Sequence, residues 1–141
     1  MRIARFIGTA ALGLILVPPT GMEEAIAQAS LTPYQGAWLA GGPDCAEIYS
    51  TAGSGTSFKR PINIFAPAFV ISGNRLRTPQ ASCRIKSVQP SGDRQLLLLS
   101  CANAVASEQV RVLMAPQPGG SLRRYFNDQD TVGTEYRQCS R

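Results

Sequence analysis

The chain has 141 residues, 14 basic and 9 acidic side chains, a formal net charge of +5 and no histidine. That length suits one domain and excludes a two-domain cofactor enzyme or a large parallel barrel. The missing histidine removes the commonest general base and metal ligand, so Ser-His-Asp and Cys-His catalysis are excluded.

In chain order, Arg2 and Arg5 precede an uncharged run from Phe6 to Val17 that Pro18-Pro19 ends. A basic start followed by an apolar run too short to cross ~30 Å of hydrocarbon reads as a signal peptide. Ala27-Gln28-Ala29 supplies the small-x-small cleavage pattern, so the signal peptide is expected over residues 1–29. The rest, 30–141, is then a single periplasmic or secreted β domain. The first cysteine is Cys45, which argues against a lipidated cysteine at a new N-terminus. No later apolar run is long enough for a transmembrane segment.

Within 30–141 the strongest local signals are β. Gly36 to Ala40 is a short apolar run ended by Gly41-Gly42-Pro43-Asp44, and Asn63-Ile64-Phe65 lies between Pro61 and Pro67. Ser50 to Arg60 is small and polar and reads as a flexible loop. Phe69 to Ser72, the turn Gly73-Asn74 and Arg75 to Arg77 form a hairpin signal. Ser82 to Gln89 and Arg94 to Ala102 flank Pro90-Ser91-Gly92-Asp93, and Leu96 to Leu99 is apolar on both faces. Ala102 to Gln109 is a candidate short helix. Val110 to Met114, Leu122 to Phe126 and Thr134 to Gln138 complete the set. Seven to eight short strands with turn signals every 8–15 residues predict an all-β fold, a small antiparallel barrel or sandwich.

All four cysteines, Cys45, Cys83, Cys101 and Cys139, follow the signal segment. An even count behind a signal peptide reads as two disulfides in an oxidising compartment. A three-residue loop Ser91-Gly92-Asp93 sets Cys83 opposite Cys101, whereas a two-residue Ser91-Gly92 loop sets Cys83 opposite Ser100. The first register gives Cys83–Cys101 and leaves Cys45–Cys139 to tie the start of the domain to its end. The spacings contain no CxxC knuckle and argue against zinc, so no metal is expected.

Trp38 is expected in the core. Arg75 with Arg77, and Arg84 with Lys86, each share a strand face. Because Leu76, Cys83 and Ile85 take the alternate positions, the four cations are expected to point outward as a candidate anion-binding face. Nucleic acid is not expected, since no aromatic interleaves these rows. Asn127-Asp128-Gln129-Asp130 has oxygens for Ca²⁺ but lacks the glycine and closing glutamate of the standard loop, so a plain turn is expected. No catalytic residues and no cofactor emerge.

The order Gly36-Ala37-Trp38, Cys45, Ser82-Cys83-Arg84-Ile85 to Val88, Leu97 to Cys101, Val110 to Leu113 and Tyr136-Arg137-Gln138-Cys139 resembles a group of small exported bacterial β-barrel proteins of unassigned function. The opening Gly-x-Trp with a following cysteine is also similar to secreted barrel-type inhibitors of metalloproteases. Those carry a single early disulfide, and the later cysteines here do not match. Neither resemblance brings catalytic residues. The expectation is an exported, non-enzymatic binding module, most concretely a hydrolase inhibitor with an envelope or secreted protein as partner. The alternative is an envelope-associated protein holding anionic glycan or lipid on the basic face.

Overall fold

The computed structural model describes residues 31–51 and 55–141. The expected signal peptide over 1–29 and its expected cleavage site lie outside the described residues. The strands are β1 (Gly36–Ala40), β2 (Tyr49–Ser50), β3 (Ser57–Phe58), β4 (Ala68–Ser72), β5 (Arg75–Arg77), β6 (Ser82–Ser91), β7 (Arg94–Ala102), β8 (Ser107–Pro116), β9 (Leu122–Tyr125) and β10 (Thr134–Ser140), with one helical turn, α1 (Cys45–Ile48). Eight strands close an antiparallel barrel in the order β1-β10-β9-β8-β7-β6-β5-β4, and β2 pairs with β3 apart from it. Strands β4 to β10 thus pair in sequence order, and β1 fills the gap between the two ends. Of the barrel and the sandwich that the strand spacing allows, the chain forms the closed barrel, without the edges that a sandwich would leave.

Period-2 alternation decides what faces inward. Leu76, Cys83, Ile85, Leu97, Leu99, Val112, Met114, Leu122 and Tyr136 all join the interior cluster. A 3₁₀ turn at Thr32–Tyr34 plugs one end, with Leu31 and Tyr34 buried beneath it. Trp38 is 1% exposed. Its indole N–H donates to the Tyr34 carbonyl at 2.8 Å, and its ring lies against Phe69, which in turn meets Tyr136. The Tyr34 hydroxyl donates to the Gln95 side-chain oxygen, and burial pushes that phenol up to about 12, so it stays a neutral donor.

Gly36, the first residue of the Gly-x-Trp run, sits at φ +119° with the Ser140 carbonyl 2.1 Å from where a Cβ would lie. Any side chain there pushes β10 off β1. The same contact accompanies a register shift between Ala37 and Trp38 in the β1–β10 pairing.

Strand β1 is buried along its whole length. Trp38 and Ala40 face the interior, while Ala37 and Leu39 face outward and pack with Ala68 and Val70 under Ile48, Tyr49 and Phe58. The chain between β1 and β4 therefore forms an outer cover made of α1, β2 and β3. This corrects the reading of Ser50 to Arg60 as a plain loop: two apolar faces on β1 and β4 demand a cover. The Tyr49 hydroxyl lies 2.5 Å and 3.0 Å from the carbonyls of Trp38 and Phe69, and the Tyr49 and Phe58 rings stack at 5.4 Å. Burial raises the Tyr49 phenol well above its ordinary value, so this hydroxyl also remains a donor.

Both expected disulfides are present, Cys45–Cys139 and Cys83–Cys101. All four sulfurs are thereby taken, which leaves no thiolate for a metal. The β6–β7 hairpin turns differently from the reading above. Ser91 pairs with Arg94, so the loop is Gly92-Asp93, and a bulge between Ile85 and Ser87 returns Cys83 to Cys101. Gly92 has φ +65° and stands at the first central position, where a type II′ hairpin turn takes glycine.

Two further expectations are corrected. Asn63 to Phe65 is a turn in which the Asn63 side-chain oxygen accepts the Phe65 N–H and its carbonyl the Ala66 N–H. Ala102 to Gln109 is no helix: Asn103 accepts the N–H groups of Val105 and Ala106, both at 2.9 Å, in a tight turn, and β8 starts at Ser107. Asparagine satisfies local backbone donors in this way wherever it initiates a turn.

Candidate anion-binding face

Strands β5 to β8 present one continuous outer wall. Arg75 on β5 and Arg84 on β6 are direct cross-strand partners, which places their Cβ atoms about 5 Å apart. Lys86 sits at the β6 bulge, two residues on. Across β7, Arg111 on β8 stands opposite Leu98, itself opposite Ser87, so it adds a fourth charge about two strand spacings, or ~10 Å, from Lys86. Arg75, Arg84, Lys86 and Arg111 are all exposed, and among the described residues none has an ion pair.

Arg77 is placed differently from its three expected companions. It is half-buried, and its guanidinium donates to the Thr56 carbonyl at 3.4 Å. It helps hold the outer cover against β4 and β5 and contributes less to the free charge of the wall. Arg111 escaped the sequence reading because its neighbours there, Val110 and Val112, carry no charge. Only the β7 register joins it to the β6 cations.

No acid on the wall strands stands beside Arg75, Arg84 or Lys86, while Asp128 of the β9–β10 loop lines the same outer pocket as Arg111. Glu108 is the one acidic residue on strands β4 to β8, and it lies opposite the inward Cys101. Like charges directly opposite on adjacent strands repel and are destabilising. Here Arg75 and Arg84 face each other with no carboxylate between them.

The loop between β9 and β10 folds back over the wall itself, where Phe126, Asn127 and Asp128 meet Ser91, Leu96, Arg111 and Leu113. Arg94 stacks its guanidinium 3.6 Å over the Tyr125 ring and donates to the carbonyls of Asn127 and Asp130. Asn127 Oδ1 accepts the N–H groups of Gln129 and Asp130. The Asp130 carboxylate accepts those of Phe126, Val132 and Gly133 at 2.9 to 3.1 Å. These oxygens do the work of a turn, and backbone donors occupy the sites a Ca²⁺ ion needs.

Those N–H groups, Phe126 first and then Gly133, hold the Asp130 carboxyl below its ordinary value, with Arg94 adding to the effect. A depressed folded-state pKa contributes stability that is complete above the unfolded value of about 3.9 and is lost as pH falls through the lower folded value. Amide exchange at Phe126, Val132 and Gly133 is therefore expected to lose protection only below about pH 4. In Asp130→Asn the protection should be weaker at neutral pH and flat through that acid range. An unchanged acid profile in the variant shows that Asp130 does not organise the loop.

No helix among the described residues is long and apolar enough to cross a membrane. The two disulfides are compatible with a periplasmic or extracellular setting. No protein-family model, curated protein or solved structure matches this chain.

Proposed function

We propose that the protein is an exported, non-enzymatic binding barrel that holds an anionic envelope component on the β5–β8 wall. Export rests on the signal peptide read over residues 1–29. The ligand chemistry is a surface of closely spaced phosphates or carboxylates, as on an anionic lipid headgroup layer or an acidic glycan. The observation that carries this reading is the Arg75–Arg84 cross-strand pair. A fold gains nothing from two unpaired guanidinium groups face to face, whereas a multivalent anion bridges them with bidentate hydrogen bonds. Arg111 and Lys86 extend the same field along the wall.

The test uses the double variant Arg84→Glu, Lys86→Glu against phosphatidylglycerol vesicles and, in a separate arm, polygalacturonate. Wild-type binding is expected to one or both, weakening as salt rises, because exposed charges are screened within ~8 Å at physiological ionic strength. The double variant should lose binding with its melting temperature unchanged or slightly raised, since Arg84→Glu converts a repulsive pair into an attractive one. Surface changes of this kind stay within about 0.5 kcal/mol of stability. Retention on both matrices that ignores salt and charge reversal overturns the reading.

That outcome favours the second reading, a hydrolase inhibitor acting through the Gly41 to Asp44 loop. Arg137 supports it by donating to the carbonyls of Gly41 and Pro43, next to the Cys45–Cys139 bridge. A loop held this way enters a complex with little conformational entropy left to lose.

A further inference from the structure

The two ends of the barrel are built differently. One end carries the Leu31–Tyr34 plug and the turns at Gly73-Asn74, Gly92-Asp93 and residues 117–121. The opposite end carries the loops 41–44, 59–67, 78–81 and 103–106, as the strand directions require. Of the large hydrophobic residues left exposed among the described residues, Ile64, Phe65 and Val105 lie in loops of this second end, while Phe126 and Val132 belong to the 126–133 loop, which lies on the outer face toward Ser91 and Arg94. Phe65 and Val105 are 84% and 91% exposed. Gln80 ties the Ile64 backbone to the 78–81 turn.

The interior is also unfilled at this second end. A cavity of about 200 Å³ has Phe69, Leu76, Leu99, Val110, Val112 and Met114 in its walls. The Cys83–Cys101 bridge forms part of the same surface, and Thr78, Glu108 and Arg124 stand at its rim. Glu108 and Arg124 are exposed, and among the described residues neither forms an ion pair. Barrels of eight strands have an interior just wide enough to be filled by side chains or to hold one small ligand. Trp38 and Tyr34 fill one half here, whereas Phe69 and Tyr136 in the other half leave the space bounded by Leu76, Leu99, Val110 and Met114 open.

We infer that this cavity is a binding site for one small, uncharged, largely apolar molecule, the size of a single ring or a short branched chain. The size follows from the volume, which is somewhat above the ~150 Å³ of an apolar cavity that holds benzene and below the ~300 Å³ at which drug-sized pockets begin. The lack of net charge follows from the rim, where one carboxylate and one guanidinium leave no preference for either sign of ion. A single hydroxyl or carbonyl on the ligand meets Thr78, Glu108 or Arg124 at the mouth. Exposed Phe65 and Val105 give an apolar molecule a first contact outside the opening.

The site is separate from the outer wall and can be tested separately. Met114 is the one methionine after Met22, so [methyl-¹³C]methionine labelling puts a reporter in the cavity wall. Toluene titrated into the full domain is expected to shift the Met114 methyl resonance saturably, at one molecule per chain. Val110→Phe fills the space from a half-buried position and should weaken toluene binding about tenfold or more, a difference of ~1.4 kcal/mol. A four-ring steroid is too large for the cavity and should fail to displace toluene from the wild type. This arm decides the question even if the filled variant does not fold. A shift that never saturates, equal binding in folded Val110→Phe, or displacement by the steroid each overturns the proposal and places the apolar contact on the exposed loops.

Discussion

Replacing Cys45 and Cys139 together by alanine is expected to lower the unfolding free energy by about 4–5 kcal/mol, because the bridge closes a loop near the 100-residue scale in the chain-entropy account. The two cysteines are 94 residues apart. The bridge has a second effect that entropy alone omits. It fixes the start of α1 to β10, and α1 leads directly into Tyr49, whose hydroxyl reaches the β1 and β4 carbonyls. Without it the cover keeps the contacts of Ile48, Tyr49 and Phe58 with β1 and β4 and the hydrogen bonds of Thr56 with Arg77 and Ser140. Small domains are stable by about 5–15 kcal/mol in all, so this loss is a large share. Urea unfolding followed by circular dichroism measures it. A loss below about 1 kcal/mol means that the remaining contacts hold the cover without the bridge and the denatured chain gains little freedom.

Trp38→Ala is expected to cost about 3–5 kcal/mol, the range for emptying a large aromatic from a core. The substitution removes the ring packed on Phe69 and the hydrogen bond to the Tyr34 carbonyl. It therefore loosens the 3₁₀ plug as well as leaving a void. Trp38 is the chain's only tryptophan, so unfolding of the variant is followed by circular dichroism rather than fluorescence. Trp38→Phe keeps the ring contact and loses the N–H, and should fall between the variant and wild type. A cost under about 1 kcal/mol for the alanine variant contradicts the burial on which the plug depends.

The barrel was legible because its signals are local. Alternation in Arg75 to Arg77 and Ser82 to Ile85, and glycine at the hairpin turns, fixed strands and inward faces. The β6–β7 turn was misread although its disulfide was right, and the sequence contains the reason. Inward residues on β6 change parity, from Cys83 and Ile85 to Val88. That switch is what a bulge produces, and it absorbs the residue by which the turn was misjudged. The cover was missed for a different reason. Ser50 to Arg60 has no apolar period of its own, and what calls for its strands is the outer face of β1 and β4, many residues away.

The candidate site was half legible. Strand alternation places Arg75 and Arg84 outward, but their direct opposition is a matter of register, and Arg111 joins the wall only through β7. The withdrawal of Arg77 toward Thr56 depends on the cover, which local pattern did not reveal. The cavity could not be read at all, because a void is set by how eight strands close around their side chains.

The closing strand has a further consequence for how the chain reaches this fold. Gln35, just before β1, accepts at its carbonyl a hydrogen bond from Gln138, 103 positions later, and β1 itself pairs with both β4 and β10. The hairpins from β4 onward need only short loops to close, on a microsecond scale. β1 cannot complete its pairing until the whole meander is in place, and such non-local closure makes folding slow. Until then Ala37 to Ala40 is an apolar, uncharged segment whose β10 edge and interior face are bare, the kind of segment that self-associates. A chain made from its N-terminus carries this segment with its β10 edge open until the last strand has been made, so it is where a holding chaperone has most to protect.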